Sequence, residues 1–178
     1  MINTLYAAEI GHLAEHGVVS GYGDGTFGPS RMAARQHFAK MIILALGYQP
    51  APTGACGFTD VVKYPVDPND PYYPAGYVAA CAAAGIAEGK TPAVFGPYDP
   101  ITRAHLITMV ARAAGLSDPP QGYRPPFGYF SPDHYPWATR AAYAGLLDRL
   151  VDMGPGFDFW APATRAEVSL LLSQLLNR

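Results

Sequence analysis

The sequence contains one pattern of residues three times, and this repetition is the strongest constraint on its fold. The second copy aligns with the first without a gap, so that Arg35 falls on Arg103 and Gly47 on Gly115. In a third copy, Thr164-Arg165-Ala166 falls on Thr102-Arg103-Ala104. Repeated units of this length hide their apolar faces by packing on one another. We therefore expect one domain over residues 1–178, with repeats at residues 1–50, 56–117 and 127–178.

Each unit reads as a helix, a glycine-rich loop and a second helix, which makes the predicted fold class all-α. The second helices carry apolar residues at i, i+3, i+4 and i+7, the spacing of one buried stripe. In the second unit these residues are Leu106, Met109, Val110 and Ala113. The first helices are alanine-rich. They are predicted over Asn3 to His16, Pro74 to Ala84 and Trp137 to Asp148.

The ends of the helices distinguish the third unit from the other two. Glycine and asparagine accept the left-handed conformation that often follows a helix C-terminus. Gly47, Gly115 and Asn177 follow the second helices, and Gly17 and Gly85 stop two of the first helices, whereas Arg149 stands at that place in the third. The third loop, at residues 153–157, is read as two residues shorter than its counterparts. We therefore expect the three units to present unequal sites.

Composition excludes several classes of function. With 12 basic and 14 acidic residues and a pI of about 6.2, the chain has no nucleic-acid-binding character. The longest apolar run, Met41 to Leu46, is far shorter than the roughly 20 residues of a membrane span, so no membrane insertion is expected. Met1 is not followed by a basic segment and then an apolar one, which is the pattern of a signal peptide, so no signal peptide is expected.

The titratable residues show no pattern of catalytic chemistry. The chain has no paired-carboxylate motif, nucleophile elbow or metal signature, so we expect neither an enzyme nor a bound cofactor or metal. His12 and His16 are read as two surface histidines because no third ligand is suitably spaced. Cys56 and Cys81 allow one disulfide, although the alignment of Cys81 with Leu13 favours a buried thiol.

Three arginines stand where a cation is electrostatically unfavourable. Thr102 and Thr164 are predicted N-caps, which places Arg103 and Arg165 at the first helical position, and Arg35 shares their register. A cation there loses about 0.3–1 kcal/mol to the helix dipole. A guanidinium can bind a carboxylate or phosphate through two parallel hydrogen bonds, and free N–H groups at the helix end attract anions too. Either a small anion binds at each repeat, or each arginine pairs with a loop aspartate such as Asp24 or Asp99, or stacks on a neighbouring aromatic ring.

Aromatic residues near the same helices offer apolar faces. Tyr73 and Trp137 stand at equivalent distances before the predicted helix stops, with Leu5 in the first unit. An aromatic ring beside a polar loop can stack on a sugar, or it can pack against the next repeat. Tyr22 and Trp160 carry the same two interpretations. His37 and His105 occupy the position of a capping acid, where a local hydrogen bond or a contact to a sugar hydroxyl is possible.

Together these motifs resemble the S-layer homology repeat in three copies over nearly the whole chain. The motifs that carry the resemblance are the loop Gly21-Tyr22-Gly23-Asp24-Gly25-Thr26-Phe27 with Pro29, the helix start Thr164-Arg165-Ala166-Glu167, the lead-in Phe58-Thr59-Asp60-Val61 and a looser lead-in from Phe130 to Trp137. The resemblance implies a pseudo-threefold, monomeric domain around a central three-helix bundle. It also implies an extracellular location on the bacterial cell surface or in an S-layer.

The resemblance further implies that clefts between repeats bind a secondary cell-wall polysaccharide through a pyruvylated amino-sugar. The candidate ligand-binding residues are Arg35, Arg103, Arg165, Asp24, Gly25, Tyr73, Lys90, Thr102, Trp137 and Thr164. The first unit lacks the N-cap residue, the second has His105 in place of the capping acid and Lys90 where the loop aspartate is expected, and the third has the shortened loop. We therefore expect one or two competent clefts, first the cleft of Arg165. A protein-binding scaffold and direct peptidoglycan binding are the alternatives.

Overall fold

The computed structural model describes residues 6–62 and 67–178, and its regular secondary structure in these residues is helical, without a strand. The all-α class is thereby confirmed. The elements are α1 (Ala7–Glu15), α2 (Arg35–Ala45), a 3-10 helix (Thr53–Ala55), α3 (Thr59–Val62), α4 (Ala75–Ala83), α5 (Arg103–Ala113), α6 (Tyr135–Tyr143) and α7 (Arg165–Leu176). None of the helices in this part of the chain has the length and apolar character needed to cross a bilayer. The predicted start of the first helix at Asn3 lies outside the described residues, as does Leu5.

The prediction for the first helix of the third unit is wrong. This helix is α6, and it ends at Tyr143 rather than Asp148 because Gly145, with φ 75°, takes the left-handed conformation two residues later. Gly145 therefore ends its helix in the same way as Gly17 and Gly85 end theirs, and Arg149 lies beyond the helix. Arg165 follows Gly145 by 20 positions, whereas Arg103 follows Gly85 by 18. Counted in this way, the third connection is longer than its counterparts, not shorter.

The second helices end as predicted in two units. Gly47 and Gly115 take φ values of 65° and 58°, in the left-handed region that glycine adopts at low cost. Asn177 differs, because its φ is −91° and its side-chain Nδ2 donates to the carbonyl O of Ser173 at 2.9 Å. Here a side chain satisfies one of the terminal helix carbonyls, and no left-handed residue is needed.

The first helix of each unit packs against the second helix of the preceding unit. Thus α4 packs on α2, α6 packs on α5, and α1 closes the circle by packing on α7. Helix α7 also contacts α2 and α5. The buried hydrophobic side chains of all three units form one core cluster, to which the buried thiol of Cys81 belongs. Cys56 and Cys81 are both free thiols.

A closed ring of backbone hydrogen bonds joins the segments that lead into the second helices. Ala33 donates to the carbonyl of Ala163 at 3.0 Å, Ala163 to Ile101 at 2.8 Å, and Ile101 to Ala33 at 2.9 Å. All three residues are buried, and they occupy the same position of their units. The ring supports the predicted pseudo-threefold arrangement at the point where the arginines enter their helices.

Candidate functional site

Helices α2, α5 and α7 begin at Arg35, Arg103 and Arg165, as the sequence predicts. The backbone N–H of each arginine donates to a carbonyl of another unit, and the following N–H does the same. For Arg165 and Ala166 the acceptors are the carbonyls of Arg31 and Pro29, at 2.8 and 3.0 Å. The expectation that these N–H groups are free for an anion is therefore wrong, because the neighbouring unit satisfies them. An anion can be held here by the side chains.

Each guanidinium reaches the loop of the next unit in the circle. Arg165 donates from Nε to the Phe27 carbonyl at 3.0 Å and from Nη2 to the Ser20 carbonyl at 2.8 Å. Its guanidinium carbon lies 4.3 Å from the centre of the Phe27 ring. Within the described residues, Nη1 of Arg165 makes no hydrogen bond to protein. The side chain is thus fixed along one edge, while a charged edge remains for a ligand.

Arg35 repeats this geometry at the loop of the second unit. It donates from Nε to the Phe95 carbonyl at 2.9 Å and from Nη2 to the Glu88 carbonyl at 3.1 Å, and it lies 4.5 Å from the Phe95 ring centre. Asp60, in the lead-in motif, holds this loop by accepting from the N–H groups of Phe95 and Gly96. Again Nη1 makes no hydrogen bond among the described residues. Arg35 is 4% exposed, so its charge is largely removed from water.

Arg103 is neutralised by a carboxylate of the same chain. Its Nε and Nη2 lie 2.8 and 2.7 Å from Oε1 of Glu167, and its Nη1 donates to the Asp158 carbonyl at 3.4 Å. The other oxygen of Glu167 accepts from the N–H of Thr164 and completes a capping box. The predicted role of Arg103 as an anion contact therefore does not fit this geometry, because its charge is already paired.

A cleft of about 290 Å³ opens beside Arg165, and we call it the Arg165 cleft. All three units contribute to it. Its lining residues are Val18, Val19, Ser20, Gly21, Tyr22, His37, Lys40, Met41, Asp67, Tyr73 and Arg165. The predicted residues Arg165 and Tyr73 are thus brought together.

Two tyrosines and a lysine shape the Arg165 cleft. The rings of His37 and Tyr73 stack, with centroids 5.9 Å apart and planes at 17°. Lys40 forms an ion pair with Asp70 at 2.6 Å and lies 5.5 Å from the centre of the Tyr73 ring. The guanidinium carbon of Arg165 lies 5.0 Å from the centre of the Tyr22 ring. The cleft therefore combines cations with aromatic surface.

The local environment keeps His37 and Tyr73 uncharged at neutral pH. Partial desolvation lowers the pKa of His37, and the charges of Arg165 and Lys40 lower it further. Burial raises the pKa of Tyr73 well above its usual value, with smaller effects from Tyr98 and two aspartates. The Tyr73 hydroxyl is buried and has no hydrogen-bond partner among the described residues. Because Lys40 is paired with Asp70, Arg165 supplies the positive charge of this cleft that no carboxylate pairs within the described residues.

An equivalent cleft of about 250 Å³ contains Arg35, and we call it the Arg35 cleft. Its lining residues are Arg35, Glu88, Gly89, Lys90, His105, Thr108, Met109, Arg112, Asp133 and His134. Arg112 pairs with Glu88 at 2.9 Å, and Lys90 pairs with Asp99. The predicted residue Lys90 therefore lies with Arg35, the arginine of the preceding unit, and not with Arg103 of its own unit.

Two histidines meet in the Arg35 cleft. The rings of His105 and His134 have centroids 4.6 Å apart at 63°. Nδ1 of His105 is 2.7 Å from the Thr102 hydroxyl, and Nδ1 of His134 is 2.8 Å from the Thr108 hydroxyl. Burial lowers the pKa of His105 to about 4, with further contributions from Arg35, His134 and Lys90. Both bonds leave the Nε2 atoms as the remaining polar atoms of the rings.

Other predicted residues do not line either cleft. Asp24 accepts from the N–H and hydroxyl of Thr26, which fixes a turn that Gly25 completes with φ 80° and which lowers the pKa of Asp24. Thr102 and Thr164 cap α5 and α7 with their hydroxyls. Trp137 lies 5.3 Å from the guanidinium of Arg112, a lining residue of the Arg35 cleft. These residues shape the surroundings of the clefts.

Several lining residues were not identified from the sequence. Lys40, Arg112 and Asp133 stand at positions where the three units differ, so the repeat gave no reason to select them. His134 also lines the Arg35 cleft. His12 and His16 lie 4.6 Å apart, and the described residues contain no group of three metal-binding side chains. Lys40 follows His37 by three positions, which places both on one face of α2, and this spacing is the signal that could have identified the lysine.

Comparison with known proteins agrees with this geometry. Residues 2–39 and 66–107 match the family model of the S-layer homology domain. Each segment spans a loop and the arginine at the start of a second helix.

Related proteins share this repeat region over part of their length. A surface layer protein of Brevibacillus choshinensis is 30% identical over 112 residues, 61% of this chain and 9% of that protein. An uncharacterized cell wall amidase of Bacillus anthracis is 30% identical over 159 residues, 88% of this chain and 28% of that protein. The S-layer protein EA1 of Bacillus anthracis is 27% identical over 121 residues, 64% of this chain and 12% of that protein. The chain thus spans less than a third of each relative. It belongs to the S-layer homology domain family.

Proposed function

We propose that this module binds an anionic cell-wall polysaccharide in two clefts, those of Arg165 and Arg35. The observation that carries the proposal is the unequal state of the three arginines. Arg165 and Arg35 are fixed by backbone carbonyls and keep Nη1 without a protein partner in the described residues, whereas Arg103 is paired with Glu167. A guanidinium held in place by neutral carbonyls still needs a counter-charge, and a ligand can supply it.

The ligand group that suits these clefts is a small carboxylate on a sugar. The clefts of about 290 and 250 Å³ accommodate a monosaccharide. Arg165 supplies charge in one cleft, and Tyr22 and Tyr73 supply apolar faces for pyranose C–H groups. A pyruvate ketal on an amino-sugar combines a carboxylate with such a ring. We propose this group as the ligand, on a secondary cell-wall polysaccharide.

The proposed role is non-catalytic and extracellular. One relative is named a cell wall amidase, but this chain spans 28% of that protein. We propose that any hydrolytic activity of such a protein belongs to its other parts. The module would act as a monomer and hold its parent protein at the bacterial surface.

Calorimetric titration with a pyruvylated N-acetylhexosamine tests the proposal. Arg165→Lys should lower the affinity of its cleft at least tenfold, because lysine keeps the charge but loses the planar edge. Arg103→Lys is the matched control: it changes the same position of another unit, and it should leave sugar binding unchanged. Arg35→Lys should remove the second binding event.

The same sugar without its pyruvate group provides the second control. Equal binding of the two sugars, or unchanged binding in both the Arg165→Lys and Arg35→Lys variants, would contradict the proposal. Binding of uncharged peptidoglycan fragments in place of the pyruvylated sugar would favour direct peptidoglycan recognition. Sensitivity of binding to Arg103→Lys alone would place the ligand at a different part of the molecule.

A further inference from the structure

Trp160 presents an exposed indole at the edge of the Arg35 cleft. It is 50% exposed, and its ring centroid lies 5.7 Å from that of His134, a lining residue of the cleft. Trp160 itself is not among the lining residues. An indole that is half exposed beside a polar cleft offers apolar area next to hydrogen-bonding groups, which is the combination that a sugar ring needs.

The indole is held in position by its neighbours. The backbone N–H of Trp160 donates to Oδ1 of Asp158 at 2.9 Å, and the ring lies 6.2 Å from Phe130 at 79°. Phe130 is itself stacked on Phe159, with ring centroids 3.8 Å apart and planes at 5°. A ligand that stacks on Trp160 would therefore order few additional side-chain rotamers, which keeps the entropic cost of binding low.

The repeat places a second exposed aromatic beside the Arg165 cleft. Tyr98 precedes Arg103 by five positions, as Trp160 precedes Arg165, and it is 56% exposed. It lies near Tyr73, a lining residue of the Arg165 cleft, and contributes to the raised pKa of Tyr73. The same position in the first unit is Ser30. By this register, an aromatic residue lies beside each of the two clefts whose arginine has an available edge. The serine corresponds to the third position, that of Arg103, whose charge is neutralised.

We propose that Trp160 forms a second subsite, which stacks on the sugar next to the charged one in the same polysaccharide chain. Tyr98 is its counterpart at the Arg165 cleft. The inference rests on the proposed function, because the charged sugar in the cleft sets the direction of the chain. The occupant is an uncharged pyranose ring, since among the described residues the indole contacts the rings of Phe130 and His134 and no cation. The module would thereby read two consecutive sugars rather than one.

Titration of two ligands into the Arg165→Lys background, where the Arg35 cleft is retained, tests this subsite. The ligands are a pyruvylated N-acetylhexosamine and a disaccharide in which that sugar is linked to a neutral N-acetylhexosamine. The disaccharide should bind about five- to tenfold more tightly, as expected for one aromatic stacking contact. Trp160→Ala should abolish this difference, and Trp160→Tyr should retain most of it. Tyr143→Ala removes a ring that is 52% exposed at the far end of α6 and should preserve it.

Intrinsic fluorescence gives an independent readout of the same contact. The chain has two tryptophans, so in a Trp137→Phe variant the emission comes from Trp160 alone. The disaccharide should change this emission, and the monosaccharide should not. An affinity difference that persists in Trp160→Ala, or no difference in the parent background, would overturn the subsite while the proposed function stands. If neither ligand binds the unaltered protein, the proposed function fails and the subsite fails with it.

Discussion

At the third position of each second helix, one side chain lies beside the arginine of the preceding unit in the circle. In α7 this residue is Glu167, which binds Arg103 and caps its own helix. In α2 and α5 the residues are His37 and His105, whose pKa values are lowered by desolvation and by Arg165 and Arg35 respectively. Neutral histidines leave the guanidinium without a competing carboxylate. The choice between histidine and glutamate thus decides whether the arginine edge is available.

Replacing this histidine by glutamate should close a cleft without destabilising the fold. In His37→Glu the new carboxylate should pair with Arg165 as Glu167 pairs with Arg103, and it should accept from the N–H of Ala34 at the uncapped start of α2. We expect sugar binding at the Arg165 cleft to weaken more than tenfold, while stability rises by about 0.5–1 kcal/mol. Calorimetric titration and thermal melting measure both. His37→Gln, which is uncharged, is the control, and retained binding in His37→Glu would contradict this account.

His105 should make stability depend on pH in a defined window. Its pKa is about 4 in the folded protein and close to 6.5 in an unfolded chain. Between these values the unfolded chain takes up a proton that the folded chain does not, so the free energy of unfolding falls as pH falls from about 6.5 to 4. We expect this loss to be on the order of 1 kcal/mol, after allowance for partial solvent exposure. Below pH 4 both states are protonated, and the contribution of His105 is already gone.

The variant His105→Gln isolates this contribution. Glutamine can still accept from the N-terminal backbone of α5, as in a capping box with Thr102, but it does not titrate. The melting temperature of the variant should fall less between pH 7 and pH 4.5 than that of the unaltered protein. If the melting temperatures of the two proteins fall equally with pH, His105 does not contribute.

On the scale of the elements, glycine stops determine where each loop begins. Gly17, Gly85 and Gly145 share φ values of 68°, 67° and 75°, and each donates its N–H to a carbonyl three residues earlier. A Cβ at position 145 would also lie 3.2 Å from Oδ2 of Asp148. The longer third connection therefore starts from the same helix ending as the other two.

Substitution of this stop should weaken the third unit. We expect Gly145→Ala to cost about 1 kcal/mol, since alanine resists the left-handed conformation. Gly156→Ala is the control, because Gly156 has no positive φ and a Cβ there would meet nothing within 4 Å. Chemical denaturation of the two variants measures the difference. Equal stabilities would imply that the helix end shifts to accommodate alanine.

On the scale of the whole molecule, each unit is packed against its two neighbours. Each first helix packs on the second helix of the preceding unit, and backbone hydrogen bonds through Ala33, Ile101 and Ala163 join the three units in a closed ring. A single unit therefore lacks the surface that covers its apolar stripe. Stability must be shared among the units rather than stored in each of them.

Thermal unfolding should accordingly be one cooperative transition. We expect the calorimetric and van't Hoff enthalpies to agree, and we expect Ala163→Pro to lower the single melting temperature. Proline at this position removes a donor from the ring, at a cost of about 3 kcal/mol. Differential scanning calorimetry measures both effects. Two resolved transitions would contradict the shared core.

Sequence alone predicted the helical class, the register of the arginines and the caps at Thr102 and Thr164. These features depend on contacts within a few residues. It could not predict that Arg165 reaches the loop at Ser20, because identical patterns do not reveal which copy faces which. The pairing of Arg103 with Glu167 could not be predicted for the same reason, since the two residues belong to different units. The equivalence of Trp137 with Tyr73 assumes a helix stop at Arg149, whereas the stop is Gly145, four residues earlier.

Because each arginine reaches into the loop of the neighbouring unit, one sequence repeat and one binding cleft do not consist of the same residues. Arg165 comes from the last repeat, the floor at residues 18–22 from the first and Tyr73 from the second. A duplication, deletion or recombination that replaces one repeat therefore alters more than one binding surface at once. Such modules are expected to be inherited and exchanged as complete triplets.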